Sequence, residues 1–502
     1  MMKFCTNFPM FSIIACLMCG VICSVLGKKA ARCLTYGLLA FLIALSGGVL
    51  AYALKIDGEF IYRMGHFGAP FGNELRAGVL EGVLAIFFSV IMFFSVLAGE
   101  KHIDQDVEEN KINLYYTLIC LMMSSLLALT YTNDIFTAYV FVEINTITAA
   151  GLVAVMGNGR AYFSSAKYMI MSLLGSGLLL IGITLLYDVT GHLLLSDIKE
   201  AVETIAIKEY AEPFTIIIAL ITIGLSIKSA LFPFHSWLPD AHTASTISSS
   251  AILSSLVLKA YIVLLIKVYY RAIGWDIVLE TGVNDIIFVF GILAMIFGSI
   301  FAIAQKDVKR MTAYSSVAQI GYIFMGIGIG NAAGVMAAVF HIFAHGATKS
   351  MIFTSLGGIK EVSEHSTKLD KITGAGYRNK VAGVSFAVGA FSMVGIPFFP
   401  GFVSKLNFAS AAAEAGSTKM IVILVALAIS TILNCLYFFR ALIALYTPIK
   451  KGALQNVEIR ETEKPAFKYV AAMACLIAIN LFAGTFSDMI MSLISKGLSM
   501  FS

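Results

Sequence analysis

A few ionisable side chains lie inside long apolar stretches of this sequence, where water cannot solvate them. They are the carboxylate of Glu143 and the amines of Lys228, Lys259, Lys349 and Lys405. A charge at the centre of a membrane helix costs about 2.5–3.5 kcal/mol on insertion scales. Such groups generally face the interior of a helix bundle, pair with one another and mark an ion path. The chemistry that these residues suit is therefore proton transfer.

Glu143 and Lys228 are the two members of this set that could control one another. Desolvation in hydrocarbon favours a neutral amine, whereas a nearby carboxylate favours the ammonium. A change in the carboxylate's charge or distance would then switch the lysine between holding and releasing a proton. The alternative is a structural salt bridge in which the two charges only neutralise each other.

His341, His345 and Lys349 are spaced at i, i+4 and i+8, which places all three on one face of a helix. Imidazole titrates near neutrality and can both accept and donate a proton, so this stripe favours a relay. Two histidines at i and i+4 also suit zinc, but no HExxH glutamate accompanies them and the next group on that face is a lysine. Packed histidines without a chemical role are the third alternative. We predict no metal site.

The elements that position these residues follow from composition. The chain has 502 residues, of which 59% are hydrophobic and 13% charged, and its mean hydropathy is +0.88. Globular chains are about 45–50% apolar and about 25% charged, so a water-exposed surface cannot be built here. The chain is predicted to be an all-α polytopic membrane protein in a lipid bilayer. A net charge of +5 excludes nucleic-acid binding.

A bilayer core about 30 Å thick needs roughly 20 apolar helical residues, which predicts about fourteen transmembrane helices. Lys167 and Arg440 lie near span ends, from which long side chains can snorkel to the interface. The predicted spans are 9–27, 34–54, 78–98, 113–132, 134–157, 163–188, 213–233, 244–271, 283–304, 311–330, 332–358, 381–414, 418–447 and 466–495.

Orientation follows from the positive-inside rule. Loops after odd-numbered spans contain about twice as many Lys and Arg residues as the loops on the opposite side. Lys267 and Arg271 are counted with the opposite, outer side. Both termini are therefore predicted outside a cytoplasmic, or inner, membrane.

Spans 7 and 12 contain prolines that break the helical hydrogen-bond ladder. Pro233 lies where span 7 meets PFHSWLPDAH, and Pro397 lies within GIPFFPG in span 12. Freed backbone groups are tolerated at membrane depth only where they face protein or water. Broken helices in corresponding places of two halves indicate inverted repeats with ion sites at the breaks. Lys228 before one break and Lys405 after the other predict two half-channels.

Six motifs in order resemble one known family over nearly the whole chain. They are Glu143 in span 5, Lys228 with PFHSWLPDAH, Lys259 in span 8, DVKRMTAYSSVAQIGY, HIFAHGATKSMIF and GIPFFPGFVSK. The sequence resembles the antiporter-like proton-translocating subunits of respiratory complex I, membrane-bound hydrogenases and Mrp cation/proton antiporters. This resemblance implies N-terminal helices 1–3 in 1–112, inverted five-helix repeats in 113–271 and 283–447, and a C-terminal helix in 466–502.

The resemblance also implies a role for each candidate residue. Glu143 and Lys228 correspond to the gating pair of the proton-uptake half-channel. Lys259, His341 and His345 correspond to the central hydrophilic connection, with Lys349 extending the stripe towards the cytoplasmic end. Lys405 corresponds to the terminal proton carrier that leads to the exit.

Length and the doubled histidine most closely resemble the D-type subunit of Mrp Na⁺/H⁺ antiporters. Lysine at position 405 differs from the acid that one complex I member carries in span 12. We also expect no long amphipathic extension after Ser502, which argues against the largest complex I member and the largest Mrp subunit. The alternative is a proton- or sodium-pumping subunit of a complex I-like NADH/quinone oxidoreductase or a membrane-bound hydrogenase. The expected partners are other membrane subunits and protons, with Na⁺ left open as the counter-ion. No nucleotide, flavin or iron–sulfur motif is present, so no cofactor and no redox centre are predicted for this chain.

Two functions of other classes remain open. A secondary transporter for an organic solute would need one midplane pocket, whereas these ionisable groups are spread over spans 5, 7, 8, 11 and 12. A scaffold subunit would use the same charges only as internal salt bridges.

Overall fold

The computed structural model describes residues 2–69, 71–205, 207–448 and 465–501. This part of the chain is nearly all helical, which confirms the predicted fold class. The helices are α1 Phe8–Val25, α2 Lys28–Ile56, α3 Val79–Asp106, α4 Ile112–Tyr131, α5 Ile135–Ala154, α6 Gly159–Thr190, α7 Leu195–Thr204, α8 Ile207–Lys228, α9 Leu238–Ala244, α10 Ile247–Ile273, α11 Trp275–Glu280, α12 Val283–Ile303, α13 Val308–Gly328, α14 Ala332–Glu361, α15 Ala375–Arg378, α16 Lys380–Val394, α17 Pro400–Ala413, α18 Ser417–Tyr446, α19 Phe467–Thr485 and α20 Ser487–Ser499.

Eleven helices in the described residues are long and apolar enough to cross a membrane. The chain is therefore a multi-pass membrane protein. Helices α8 and α13 and the α16–α17 pair, which correspond to predicted spans 7, 10 and 12, are not among the eleven. The exact number of fourteen spans stays a prediction, as do the two five-helix repeats. The basic residues between 449 and 464 that contributed to the orientation count lie outside the described residues.

The stretch between α2 and α3, predicted as a polar loop, contains a short antiparallel hairpin. Strand β1 is Phe60–Arg63 and strand β2 is Glu74–Ala77, with Phe60 opposite Ala77. An alternating strand of four residues is too short to stand out in a sequence whose dominant signal is hydrophobicity.

Both predicted helix breaks are present. Helix α8 ends at Lys228, and a 3₁₀ turn at Phe234–Trp237 leads into α9. Helix α16 ends at Val394 and α17 begins at Pro400. Lys228 was expected in the interior of span 7, but it is the last residue of α8. The freed carbonyl groups of each helix end therefore lie next to a functional candidate.

The last predicted span, 466–495, is also interrupted. Helix α19 ends at Thr485 and α20 begins at Ser487, although the sequence there contains no proline. The prediction of one continuous helix was therefore wrong.

Helices α10 and α14 lie at the centre of the bundle. In the most apolar 18-residue stretch of each helix, 100% of the residues of α10 and 94% of those of α14 are buried inside the protein, against only 33% for α1. Helix α10 also contains two π-helical segments, Leu253–Val257 and Tyr269–Ile273. Such segments are frequent at functional sites because they disturb the regular carbonyl pattern. The lysines on α10 and the histidines on α14 are thus placed far from lipid.

Close glycine contacts hold α12 against α13. A Cβ atom on Gly321 would lie 2.5 Å from the carbonyl oxygen of Gly291 and 2.7 Å from the backbone nitrogen of Met295. Small residues at such crossings let the backbones of membrane helices approach each other. This contact fixes α13, which carries several polar residues of the centre.

We predict that Gly321→Val destabilises the protein strongly, because the added atoms meet rigid backbone. Overpacking typically costs about 1–3 kcal/mol, and here neither helix can move without disturbing the bundle. Gly177→Val on α6 is the matched control, since a Cβ atom there meets nothing within 4 Å. Thermal unfolding of the purified protein should show a lower midpoint for Gly321→Val only. Equal midpoints for the two variants would contradict this account of the packing.

Candidate functional site

Glu143 on α5 and Lys228 at the end of α8 form an ion pair at the edge of the bundle. The Lys228 ammonium lies 3.3 Å from Glu143 Oε1 and donates a hydrogen bond of 2.7 Å to Thr146 Oγ1. The Ser176 hydroxyl also donates to Glu143 Oε1. The lysine side chain is fully buried, whereas 24% of the glutamate side chain is exposed. The pair therefore joins a desolvated amine to a carboxylate that remains accessible from outside the bundle.

A glycine contact between α6 and α8 brings this pair together. A Cβ atom on Gly175 would lie 2.8 Å from the carbonyl oxygen of Gly224 and 3.2 Å from Lys228 Cγ. Any larger residue at position 175 would displace the stem of the lysine. The helices can approach because both positions lack side chains.

Tyrosine hydroxyls lie between the ion pair and the centre. The Lys228 ammonium is 5.7 Å from the centroid of the Tyr261 ring, and Tyr261 is two residues from Lys259 on α10. The hydroxyl groups of Tyr168 and Tyr261 and the Asn145 amide are buried without a hydrogen-bond partner in the protein. Buried polar groups are normally satisfied by protein or by ordered water. This region therefore suits a hydrated link between Lys228 and Lys259.

Lys259 is fully buried, and none of the ion pairs formed by described residues includes it. Its ammonium donates to the carbonyl oxygen of Ser254, which belongs to the first π-helical segment. The Ser254 hydroxyl in turn shares a hydrogen bond of 2.8 Å with the Ser316 hydroxyl on α13. A buried charge without a counter-charge costs several kcal/mol. Lys259 is thus held in the interior by neutral polar atoms alone among the described residues.

His341 and His345 stack on each other at the middle of α14. Their ring centroids are 5.8 Å apart and their planes differ by 14°. His341 Nδ1 shares a hydrogen bond of 2.7 Å with the Ser404 hydroxyl on α17. His341 Nε2 and both ring nitrogens of His345 are buried without a protein partner. Among the described residues, no group of three or more His, Cys, Asp or Glu side chains is arranged to hold a metal ion.

Lys405 on α17 occupies the second helix break. Its ammonium donates to the carbonyl oxygen of Val394 at 2.6 Å and to Thr431 Oγ1 at 2.9 Å. Val394 is the last residue of α16, so its carbonyl belongs to the negative end of a helix dipole. Gly395, with φ +92°, follows it, and a Cβ atom there would lie 3.1 Å from Lys405 Cδ. The break and the glycine together shape the place where this lysine lies.

The Tyr322 ring connects Lys405 to the histidines. The Lys405 ammonium is 6.0 Å from its centroid, and the His341 ring stacks on it at 5.4 Å. Helix α14 also packs directly against the first π-helical segment of α10, where a Cβ atom on Gly346 would lie 2.9 Å from a backbone carbonyl oxygen. The buried Lys259, the buried histidines and the partly buried Lys405 thus form a row through the bundle.

Lys349 extends this row along α14. It is fully buried, and its ammonium donates to the carbonyl oxygen of Thr312 at 2.8 Å and to the Ser315 hydroxyl. Both acceptors belong to α13. The structure therefore brings all seven predicted site residues into the interior or its edge, with Lys349 on a side branch.

Lys267 and Arg271 were assigned to an outer loop, and that assignment was wrong. Both are buried at the end of α10. The Lys267 ammonium donates to the carbonyl oxygens of Thr130 and Thr132 at 2.8 and 2.6 Å, and so caps the C-terminal end of α4. Arg271 follows Lys267 at i+4, which places the two on one helix face, a signal that was present in the sequence.

Arg271 anchors the hairpin to the bundle. Its guanidinium lies 2.7 Å from Glu59 and 2.8 Å from Glu81. Two carboxylates around one buried guanidinium satisfy the charge locally. This cluster is therefore structural and separate from the row.

Lys167 and Arg440 do not depend on snorkelling alone. The Lys167 ammonium lies 2.7 Å from Asp240, which also pairs with Arg310 at 3.1 Å. The Arg440 guanidinium donates to the carbonyl oxygen of Gln305. These contacts tie helix ends together.

His242 was part of a recognised motif but was given no role. It is fully buried, its ring stacks on Phe353 with centroids 4.8 Å apart, and neither ring nitrogen has a hydrogen-bond partner in the protein.

Comparison with known proteins gives a consistent picture. The family described as NADH:quinone oxidoreductase/Mrp antiporter, TM, matches residues 132–431. A curated relative, NADH-quinone oxidoreductase subunit N of Desulforudis audaxviator (strain MP104C), is 32% identical over 417 residues, which cover 81% of this chain and 79% of the relative.

Two solved structures show the same fold. A chain of the archaeal membrane-bound sulfane sulfur reductase is 24% identical, with a TM-score of 0.87 and coverage of 100% of this chain and 98% of that chain. A chain of the Mrp complex from Dietzia sp. DQ12-45-1b is 20% identical, with a TM-score of 0.88 and coverage of 99% of this chain and 97% of that chain. The match to the family and the identity to its member lead to one conclusion: this chain belongs to the NADH:quinone oxidoreductase/Mrp antiporter family of transmembrane antiporter-like subunits.

Proposed function

We propose that this chain translocates protons through the row formed by Glu143, Lys228, Lys259, the two histidines and Lys405. The observation that carries the proposal is Lys259, a fully buried amine that donates to a backbone carbonyl and belongs to no ion pair of the described residues. Burial disfavours its charged form, whereas the Ser254 carbonyl oxygen that accepts from the ammonium favours it. A group held between two protonation states is suited to pass a proton on.

The Glu143–Lys228 pair acts as the switch at the uptake end. Its ammonium–carboxylate distance of 3.3 Å is longer than the 2.7 Å to Thr146, so the lysine has a second acceptor when the carboxylate withdraws. Protonation or movement of Glu143 favours the neutral amine. The proton released by Lys228 then moves towards Lys259 past the hydroxyl groups of Tyr168 and Tyr261.

The histidines connect Lys259 to the exit end. An imidazole accepts a proton on one nitrogen while it donates from the other. His345 offers two nitrogens without protein partners, and the Ser404 contact fixes the orientation of His341. Lys405 receives the proton at the helix break, where the Val394 carbonyl stabilises its charged form.

The chain works within a complex of several membrane subunits. One chain of the Mrp complex from Dietzia and one chain of the archaeal sulfane sulfur reductase complex share its fold. We retain an Mrp-type Na⁺/H⁺ antiporter subunit of the D type as the first assignment. The relative named NADH-quinone oxidoreductase subunit N favours the alternative, a pump subunit of a redox-driven complex. In that case the chain is part of an oxidoreductase without holding a redox centre. Purification of the native complex and mass spectrometry of its companions distinguishes these two assignments.

The proposed location is the cytoplasmic membrane, with both termini outside. In this orientation the helix ends near Arg160, Lys309 and Lys360 face the cytoplasm. The proposed repeats, 113–271 and 283–447, place the two helix breaks in corresponding positions, each beside a lysine.

We predict that Glu143→Gln in the native complex lowers proton flux by about a hundredfold or more, since positioned proton-transfer groups contribute about 10²–10⁴-fold. The amide keeps the size of the side chain but removes the charge that controls Lys228. Quenching of a pH-sensitive dye in inverted vesicles measures the flux. Glu414→Gln, an exposed residue after α17, is the control and should retain activity. Flux at the wild-type rate in Glu143→Gln would contradict the assignment.

The paired variant Glu143→Gln with Lys228→Met separates a switch from a scaffold. A scaffold needs only neutrality, so its activity should return when both charges are removed together. A switch needs both the carboxylate and the amine to gain and lose protons, so the double variant should be as inactive as Glu143→Gln. Co-purification of the complex shows that assembly is retained.

We predict that Lys405→Arg also stops transport, although the positive charge remains. Arginine is not deprotonated in proteins, so it fills the site without releasing a proton. Lys419→Arg is the matched control, because Lys419 lies 2.6 Å from Asp285 at a partly exposed position. Rapid proton transport by Lys405→Arg would mean that this position needs only charge.

A further inference from the structure

A polar cavity opens at the helix ends that face the cytoplasm in the proposed orientation. Its volume is about 210 Å³. Its walls come from the C-terminal ends of α3 and α14, the N-terminal ends of α6, α10 and α13, and the loop after α14. It is separate from the row of the proposed function, since none of the seven site residues lines it.

Four lysine and arginine side chains line this cavity, and three of them, from different parts of the chain, form no ion pair within the described residues. Arg160 on α6 and Lys368 in the loop after α14 are exposed, whereas Lys309 on α13 is buried, with 8% exposure. The Lys309 ammonium donates to the carbonyl oxygen of Ser245 at 2.5 Å. It belongs to no ion pair within the described residues. Its remaining N–H groups are therefore free to donate to a further acceptor.

The acidic residues of the cavity are already neutralised by other groups. Asp106 accepts from the Lys360 ammonium at both oxygens, at 3.0 and 3.2 Å. Asp307 caps the N-terminus of α13 and also accepts from Thr367 Oγ1 at 2.7 Å. A helix N-terminus compensates a carboxylate charge. The lysine and arginine side chains of the cavity outnumber these two carboxylates, and within the described residues Arg160, Lys309 and Lys368 form no ion pair with either.

We propose that this cavity binds a phosphate group. A buried ammonium without a counter-charge is costly and favours an anionic partner. Lysine and arginine are the side chains that recognise phosphate, through charge-assisted hydrogen bonds. A volume several times the roughly 30 Å³ of one water admits a polyatomic oxyanion, and the Ser366 hydroxyl group at the wall supplies a further donor. The phosphate belongs either to free inorganic phosphate or to the headgroup of an anionic phospholipid.

Binding at this cavity has a route to the transport row, a consequence that rests on the proposed function. The Lys309 ammonium donates to the carbonyl oxygen of Ser245, and the Ser245 hydroxyl donates to the carbonyl oxygen of His242 at 3.3 Å. A bound phosphate would offset the charge of Lys309. The site itself can be tested without measuring transport.

Two binding measurements on the native complex distinguish the sources of phosphate. Equilibrium dialysis with radiolabelled inorganic phosphate in detergent tests the free anion. Native mass spectrometry after exchange into phosphatidylglycerol or phosphatidylcholine vesicles tests the lipid. Saturable binding of inorganic phosphate supports the first source, and retention of phosphatidylglycerol but not phosphatidylcholine supports the second.

In either measurement Lys309→Gln should weaken binding about tenfold or more, because it removes a charged donor. Lys309→Arg should retain binding, and so should Lys419→Gln, which removes a lysine at the opposite end of the bundle. If Lys309→Gln does not fold, Lys368→Gln at the exposed rim should still weaken binding several-fold. Binding that is unchanged in both glutamine variants, or the absence of binding to either probe, overturns the proposal. Neither result bears on proton transport by the row.

Discussion

The burial of Lys259 without a carboxylate partner is the constraint on which the rest of this structure depends. An ammonium group in hydrocarbon is stable only where polar atoms surround it. The π-helical segment of α10 supplies a carbonyl group at Ser254, and α13 supplies hydroxyl groups nearby. The surrounding helices then have to exclude lipid from α10, which explains why α10 and α14 are the most buried of the eleven helices that are long and apolar enough to cross a membrane.

The two helix breaks extend this principle to the ends of the row. A helix that stops inside the protein presents free carbonyl groups and the negative end of its dipole. Lys228 is itself the last residue of α8, and Lys405 donates to the last carbonyl of α16. Lys405 is thus stabilised by the backbone that is interrupted beside it, whereas the Lys228 ammonium contacts the side chains of Glu143 and Thr146. Within the described residues only Lys228 of the two lysines pairs with a carboxylate, and in the proposed function this asymmetry directs the proton from Lys228 to Lys405.

The sequence predicted the membrane fold, both proline breaks, the burial of Lys228, Lys259 and Lys349 and the partly buried position of Lys405, because each of these follows from local composition. It did not predict the hairpin, the break before Ser487 or the burial of Lys267 and Arg271. Lys267 and Arg271 lie at the end of an apolar run. At such a place the sequence pattern of a helix that continues into the protein is the same as that of a loop. Their partners, the α4 carbonyl groups and Glu59 and Glu81, are distant in the chain and are brought close only by folding.

The central claim is that a proton passes through Lys259, and proton flux through the assembled complex carrying Lys259→Met tests it most directly. Methionine fills a similar volume but holds no proton. The account predicts that flux per assembled complex falls to the background of vesicles without the complex, while the amount of complex stays normal. Flux at the wild-type rate in this variant would show that protons take another route and would contradict the account.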